Sequence, residues 1–148
     1  MAFNGLITLI PSRTDTATVL DNIPHDFSKV QAARFILNIT NVATDAGDTF
    51  DLYLQSRFVT PGGLEVWDDF VHFTQVLGTG TEPVRHIAVW QRDGQTPESE
   101  MHTPQAAAIA VGVVQGPIGP EIRANLVIVD ADADGTITWS LQAQVIED

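Results

Sequence analysis

Much of the chain alternates apolar and polar residues with a period of two. Ile122, Ala124, Leu126 and Ile128 are interleaved with Arg123, Asn125, Val127 and Val129, and after an Asp-rich turn Trp139, Leu141, Ala143 and Val145 are interleaved with Ser140, Gln142 and Gln144. Side chains that switch face at each step make half-buried antiparallel strands. The two segments therefore predict one long hairpin from Ile122 to Ile146. Arg34–Val42 sets Phe35, Leu37 and Ile39 against Ile36, Asn38 and Thr40, and Phe50–Phe58 sets Phe50, Leu52, Leu54 and Phe58 against Asp51, Tyr53, Gln55 and Arg57. Leu6–Ile10 reads as a short strand that stops at Pro11. Thr16–Leu20 is a weaker one, closed by Asp21-Asn22-Ile23-Pro24. Trp67–Val76 and Val84–Gln91 flank Gly78-Thr79-Gly80, which predicts a second hairpin.

One segment is ambiguous. Thr103-Pro104 is a fair helix start ahead of an alanine-rich run. Within Ala106–Val114, however, Ala107, Ile109, Val111 and Val113 alternate with Ala106, Ala108, Ala110 and Gly112, and Gly112 and the valines are poor helix formers. The alternation favours a strand. The whole pattern predicts an all-β chain, an antiparallel β-sandwich or jelly-roll-like barrel of about eight or nine strands. Residues 1–148 read as a single domain, with residues 1–30 as an arm or edge element.

A domain of 148 residues buries roughly 70% of its unfolded surface, so its core needs no metal or disulfide. The absence of cysteine removes disulfides, thiol catalysis and thiolate metal sites together. The charge balance, 19 acidic against 7 basic residues for a net −12, narrows the partners further. Lys29 is the only lysine, and Arg13, Arg34, Arg57, Arg85, Arg92 and Arg123 are scattered singly. Without a basic stripe to displace counterions, the surface repels nucleic acid and anionic lipid. No apolar run reaches the ~20 residues that span a bilayer, and MAFNGLITLIPSRTDT lacks a signal-peptide pattern. The expectation is a soluble acidic protein made in a cytoplasm.

Candidate chemistry is sparse. Asp130, Asp132, Asp134 and Gly135 spell D-A-D-A-D-G, the first half of a calcium loop. The twelfth position of an EF-hand must be a bidentate carboxylate, and here it falls on Leu141 between strands, so an EF-hand is excluded. Whether Asp130, Asp132 and Asp134 hold calcium in a looser site stays open beside the alternative of an acidic Asp-Gly hairpin loop. His72 and His86 face each other if the Thr79 hairpin forms, but no third ligand for zinc is evident. His25 and His102 fall in loops without an assignable partner. Asp68 and Asp69 are adjacent on a strand and point to opposite faces, so they cannot flank one glycosidic bond. Glu98 and Glu100 read as solvated, and no serine lies in a G-x-S-x-G elbow. Asn38-Ile39-Thr40 matches a glycosylation acceptor but falls in mid-strand. The reading is non-enzymatic, with no catalytic, cofactor-binding or metal residue assigned and no cofactor expected.

Surfaces say more. The expected Thr79 hairpin places Val71 opposite Ile87 and Phe73 opposite Arg85, with Phe70, His72, Val84, Ala88 and Trp90 on the other side. Both faces are partly apolar, which implies either an internal cover or a subunit contact. Residues 92–105, RDGQTPESEMHTPQ, form a long polar loop, and residues 115–121, QGPIGPE, a stiff one.

Four segments in order carry a resemblance: ARFILNITNVATDAGDTFDLYLQSR (33–57), WDDFVHFTQVLGTGTEPVRHIAVW (67–90), GPIGPEIRANLVIVD (116–130) and GTITWSLQAQVI (135–146). Together they resemble small all-β virion proteins of tailed bacteriophages, of the head auxiliary or decoration type. The resemblance spans about two thirds of the chain and leaves out the first thirty residues and the 92–105 loop. It implies a structural protein on the outer surface of the head, a homotrimer that docks on the major capsid protein and stabilises the shell. In that picture Phe3–Ile10 and Arg92–Gln105 are the docking or bridging elements, with strand addition by an N-terminal arm as one mode. Two other readings stand beside it: a carbohydrate-binding β-sandwich using Trp67, Trp90 or Trp139 as a stacking platform, with Trp90 the best placed, and a tail or baseplate subunit.

Overall fold

The computed structural model describes residues 5–43, 45–78, 83–94 and 109–148. It is a two-layer antiparallel β-sandwich of ten strands, with no helix among the described residues. In chain order these are β1 (Leu6–Asp15), β2 (Val19–Asn22), β3 (Val30–Ala43), β4 (Thr49–Val59), β5 (Glu65–His72), β6 (Val76–Leu77), β7 (Val84–Gln91), β8 (Gly112–Val113), β9 (Ile122–Val129) and β10 (Thr136–Glu147). One sheet has the order β1-β10-β3-β7, and the other β2-β9-β4-β5-β8 with β6 also paired to β4.

The strand faces follow the sequence pattern, whereas the strand partners do not. Ile137, Trp139, Leu141, Ala143 and Val145 of β10 are buried alternately, as are Phe35, Leu37 and Ile39 of β3. Yet β9 and β10 lie in opposite sheets, so the expected terminal hairpin is instead a connection across the sandwich. The same correction applies around Thr79. β7 pairs with β3, placing Ile87 opposite Ile36 and Arg85 opposite Asn38, while Val71 of β5 pairs with Leu54 and Val113. Period-two alternation specifies which side of a strand is apolar, and a Gly or Asp turn specifies where it ends. Neither says whether the next strand returns beside it or crosses the ~10 Å to the facing sheet. Among the described residues, β4–β5 is the only pairing of consecutive strands joined by a tight turn, closed by Thr60 and Leu64 over Gly63 at φ +85°.

Pro11 does not end β1. The strand runs on to Asp15, with register shifts against β10 on both sides of Ile10. An edge strand tolerates proline where a bulge spares the missing N–H, and β1 is such an edge. The expected Thr16–Leu20 strand is displaced to Val19–Asn22. Of Ala106–Val114 only Gly112–Val113 is strand; residues 106–108 lie outside the described residues.

One apolar cluster, from Leu9 to Val145, fills the space between the sheets. Phe50, Leu52 and Leu54 of β4 and Ile122, Ala124 and Leu126 of β9 meet the apolar face of β3 and β10. A run of aromatic contacts, Phe27–Phe35–Phe70–Trp90, crosses it with ring centroids 6.0, 6.0 and 6.2 Å apart. Arg92 does not belong to a solvated loop. Its guanidinium donates to the carbonyls of Val30 (2.8 Å), Ile118 (3.1 Å) and Phe27 (2.7 Å) and lies over Trp90, tying three segments together. Gly119 is required by close approach, since a Cβ there would collide with the Arg57 carbonyl.

Candidate functional site

Three places gather polar chemistry. The first is the outer face of the larger sheet. The residues alternating with the core of β4, expected to face water, are buried: Asp51 (9% exposed), Tyr53 (8%) and Gln55 (0%), with Asp69 (3%) and His72 (9%) beside them. Asp51, Gln55, Asp69 and His72 have hydrogen bonds within the fold. Arg123 Nε donates to Gln55 Oε1 (2.7 Å), and Gln55 Nε2 donates to Asp69 Oδ1 (2.8 Å). The Ile109 amide donates to Asp69 Oδ2 at 3.3 Å. His72 stacks on Tyr53 (centroids 4.0 Å apart), with Nδ1 2.9 Å from the Ile109 carbonyl and Nε2 2.8 Å from Asp51. Gln75 donates to the other Asp51 oxygen at 2.7 Å.

Proton counting constrains this seam. A carbonyl can only accept, so the contact to Ile109 needs a proton on Nδ1. A second proton must then lie between Nε2 and the Asp51 carboxylate, or two lone pairs would oppose each other there. Burial, followed by the negative charges of Asp51 and Asp69, pushes the Tyr53 phenol above its ordinary value. Among the described residues, no buried side-chain nitrogen or oxygen lacks a partner. Here both halves of a strand pattern are buried, because the chain at Ile109 lies on the polar side. The expected pairing of His72 with His86 is absent: the two sit in different sheets, and burial alone holds the His86 imidazole below its ordinary value.

The second place is acidic. Asp132 and Asp134, from the β9–β10 connection, meet Asp45 and Asp48 from the β3–β4 loop, with one carboxylate oxygen of each within 4.8 Å of the others. Asp130 is not in this group. Its carboxylate accepts from the amides of Asp132 (3.2 Å), Ala133 (3.0 Å) and Gly135 (2.6 Å), and so shapes the turn. Oxygen-rich clusters of this kind are the donor set that hard cations such as calcium take. The Asp134 carboxyl is pushed above its ordinary value by its hydrogen bond with Asp132, by desolvation, and by the negative charges of Asp132, Asp45 and Asp130. Sequence reasoning found half of this cluster and missed Asp45 and Asp48, which only the facing of the two loops brings in.

The third place surrounds Trp67. Trp90 and Trp139 are internal, 0% and 1% exposed, and their indole N–H groups donate to the Gly116 carbonyl (3.0 Å) and to Asp15 (2.7 Å). Trp90 is therefore not the platform that the pattern suggested. Trp67 borders a cleft of about 510 Å³ formed with His25, Asp26, Pro120 and Glu121. Its indole donates to Glu65 at 2.8 Å, and the Arg123 guanidinium lies 4.2 Å from the ring centre. Arg57 bridges Glu65 (3.1 Å) and Glu121 (3.2 Å). Hydrogen bonds from Arg57 and then Trp67 hold the Glu65 carboxyl below its ordinary value.

Glu98, Ser99, Glu100 and His102, and most of the 92–105 loop, lie outside the described residues. No helix among the described residues is long and apolar enough to cross a membrane. No family model, curated protein or solved structure matches the chain.

Proposed function

We propose that this chain is a structural protein of a tailed-phage particle, docking on the major capsid protein at the outer surface of the head and reinforcing the shell, with a homotrimer as the docking unit. The sequence resemblance supplies the role, and one feature of the surface supports it. Phe58, Val59 and Leu64, at the end of the β4–β5 hairpin, are 39%, 56% and 66% exposed. Large apolar side chains left exposed at one hairpin end are of the kind a protein contact uses. A sandwich with long central strands, β3 and β10 paired to each other over nearly their whole length, suits the load, and repeated docking on a lattice multiplies modest contacts into a large combined stabilisation. The net charge of −12 keeps neighbouring particles apart. The reading assigns no catalytic residue, cofactor or metal ligand.

The test uses particles produced from the phage genome that encodes the chain, examined by mass spectrometry and immunogold labelling. The protein is expected on heads, and light scattering of the purified chain is expected to give three times its 16.0 kDa mass. V59D/L64D should weaken co-sedimentation with heads at least about tenfold, the loss of roughly one well-placed apolar contact. Labelling confined to tails would instead support a tail or baseplate subunit, and absence from particles would overturn the proposal.

A further inference from the structure

The burial of Trp90 and Trp139 leaves Trp67 as the one tryptophan bordering solvent-accessible space, and its surroundings have a definite chemical character. Pro120 and the indole give the cleft apolar walls, while Asn22, His25, Asp26 and Glu121 give it hydrogen-bonding groups. Its volume of about 510 Å³ falls in the range of small-ligand sites, roughly 300–1,000 Å³. The carboxylates, with no Lys or Arg in the lining, disfavour an anion. A cationic ligand is disfavoured as well. Arg123 already holds the cation position over the Trp67 ring, and Arg57 already bridges Glu65 and Glu121. What remains is a neutral ligand with one apolar face and several hydroxyl groups.

The site is also held in place before any ligand arrives. Trp67 is fixed at its N–H by Glu65, and by Arg123, which is itself anchored to buried Gln55. Asp26 is oriented by two bonds from Ser28, the amide at 2.8 Å and the hydroxyl at 3.0 Å, and each oxygen keeps acceptor capacity. His25 is set by Glu147 at 2.9 Å and by edge contact with Phe27. Side chains already ordered lose little entropy on binding.

We propose that this cleft binds a neutral pyranose sugar, its apolar ring face on the part of Trp67 that lines the cleft and that Arg123 does not cover, and its hydroxyls donating to Asp26 and Glu121. The site is independent of shell docking, since it uses none of Phe58, Val59 and Leu64. The test titrates glucose, galactose, mannose, N-acetylglucosamine, maltose, cellobiose and lactose, each to about 50 mM, against the full chain, for an expected Kd on the order of 1 mM. The readout is the set of three indole N–H signals by NMR. Saturable movement of the Trp67 signal with at least one sugar, the signals of Trp90 and Trp139 staying put, is expected. W67A, read by saturation transfer to the sugar because the variant lacks the reporting indole, should weaken that binding at least about tenfold, and E121A, with its Trp90 and Trp139 signals unchanged as the check on the fold, should weaken it as well. Failure of all seven sugars to move the Trp67 signal overturns the proposal. So does movement by tetramethylammonium chloride in their place, or sugar binding unchanged in E121A and W67A. V59D/L64D should bind sugar normally, which separates this outcome from that of shell docking.

Discussion

Replacing His72 by phenylalanine keeps a flat ring against Tyr53 and removes both hydrogen bonds of the imidazole. The Ile109 carbonyl loses its 2.9 Å partner and Asp51 loses its 2.8 Å partner, while the Gln75 bond to Asp51 persists. A neutral hydrogen bond is worth about 1 kcal/mol net and one to a charged group about 1.5–3 kcal/mol. With His72 at 9% and the Asp51 side chain at 12% exposure, solvent cannot replace much of either, and H72F is expected to cost about 3 kcal/mol. For a chain near 150 residues this lowers Tm by about 10 °C. Urea denaturation and calorimetry measure it, with an unchanged m-value as the check that the folded state is otherwise intact. The partner variant sharpens the reading. D51N removes the carboxylate that H72F strands, so H72F/D51N should be more stable than the sum of the single losses implies, by about 1 kcal/mol or more. Amide exchange should rise at Ile109 in H72F before it rises in β3 or β10. A loss below about 1 kcal/mol, or strict additivity in the cycle, would show that the seam is solvated in solution and would sink the argument.

Other perturbations test other parts of the fold. Because the Asp134 carboxyl sits above its ordinary value in the folded chain, its ionised form is penalised there. The penalty is full above the folded value and disappears as pH falls through it. D134N should therefore raise Tm at pH 7 in low salt, with the difference from the parent vanishing in acid and shrinking in high salt; an unchanged or lower Tm at pH 7 would contradict this. R92A removes three charge-assisted bonds to Val30, Ile118 and Phe27; at a half-buried position, where water replaces part of each, about 1 kcal/mol per bond gives a cost of about 3 kcal/mol in urea unfolding. R92K keeps the charge without the fork and should recover less than half.

The face of each strand was legible because it is a local property. Trp139, Leu141 and Ala143 are buried for the reason their spacing suggests: a pleated strand against one core has one apolar side. Partner choice is not local. β9 ends in a turn that suits a hairpin, yet β10 is better satisfied between β1 and β3, where Thr136 to Glu147 pairs with β3 and the stretch from Ile137 to Gln144 pairs with β1 as well. The hairpin reading used only the turn, and the turn is compatible with either outcome. Pro11 failed as a stop signal for a related reason, since an edge position removes the need for its N–H.

The candidate sites show the same division more sharply. The sequence displayed three tryptophans as equals, and only the stacking of sheets makes Trp90 and Trp139 internal and leaves Trp67 at a cleft. The groups around Trp67 come from residues 22–26 and 120–122, which no spacing rule joins. Asp45 and Asp48 join Asp132 and Asp134 because the β3–β4 and β9–β10 loops meet at one end of the sandwich. The seam of Asp51, Gln55, Asp69 and His72 was the least legible of all. A polar residue alternating with core positions ordinarily means water on that side. On β4 it means a second buried layer, and the signal lay in residue type more than in period. Asp51 and Gln55 carry polar groups that bond His72 and Asp69 on the neighbouring strand, Tyr53 between them stacks on His72, and the Ile109 backbone bonds both His72 and Asp69, so burial of these charged and amide groups is met by bonds already in place.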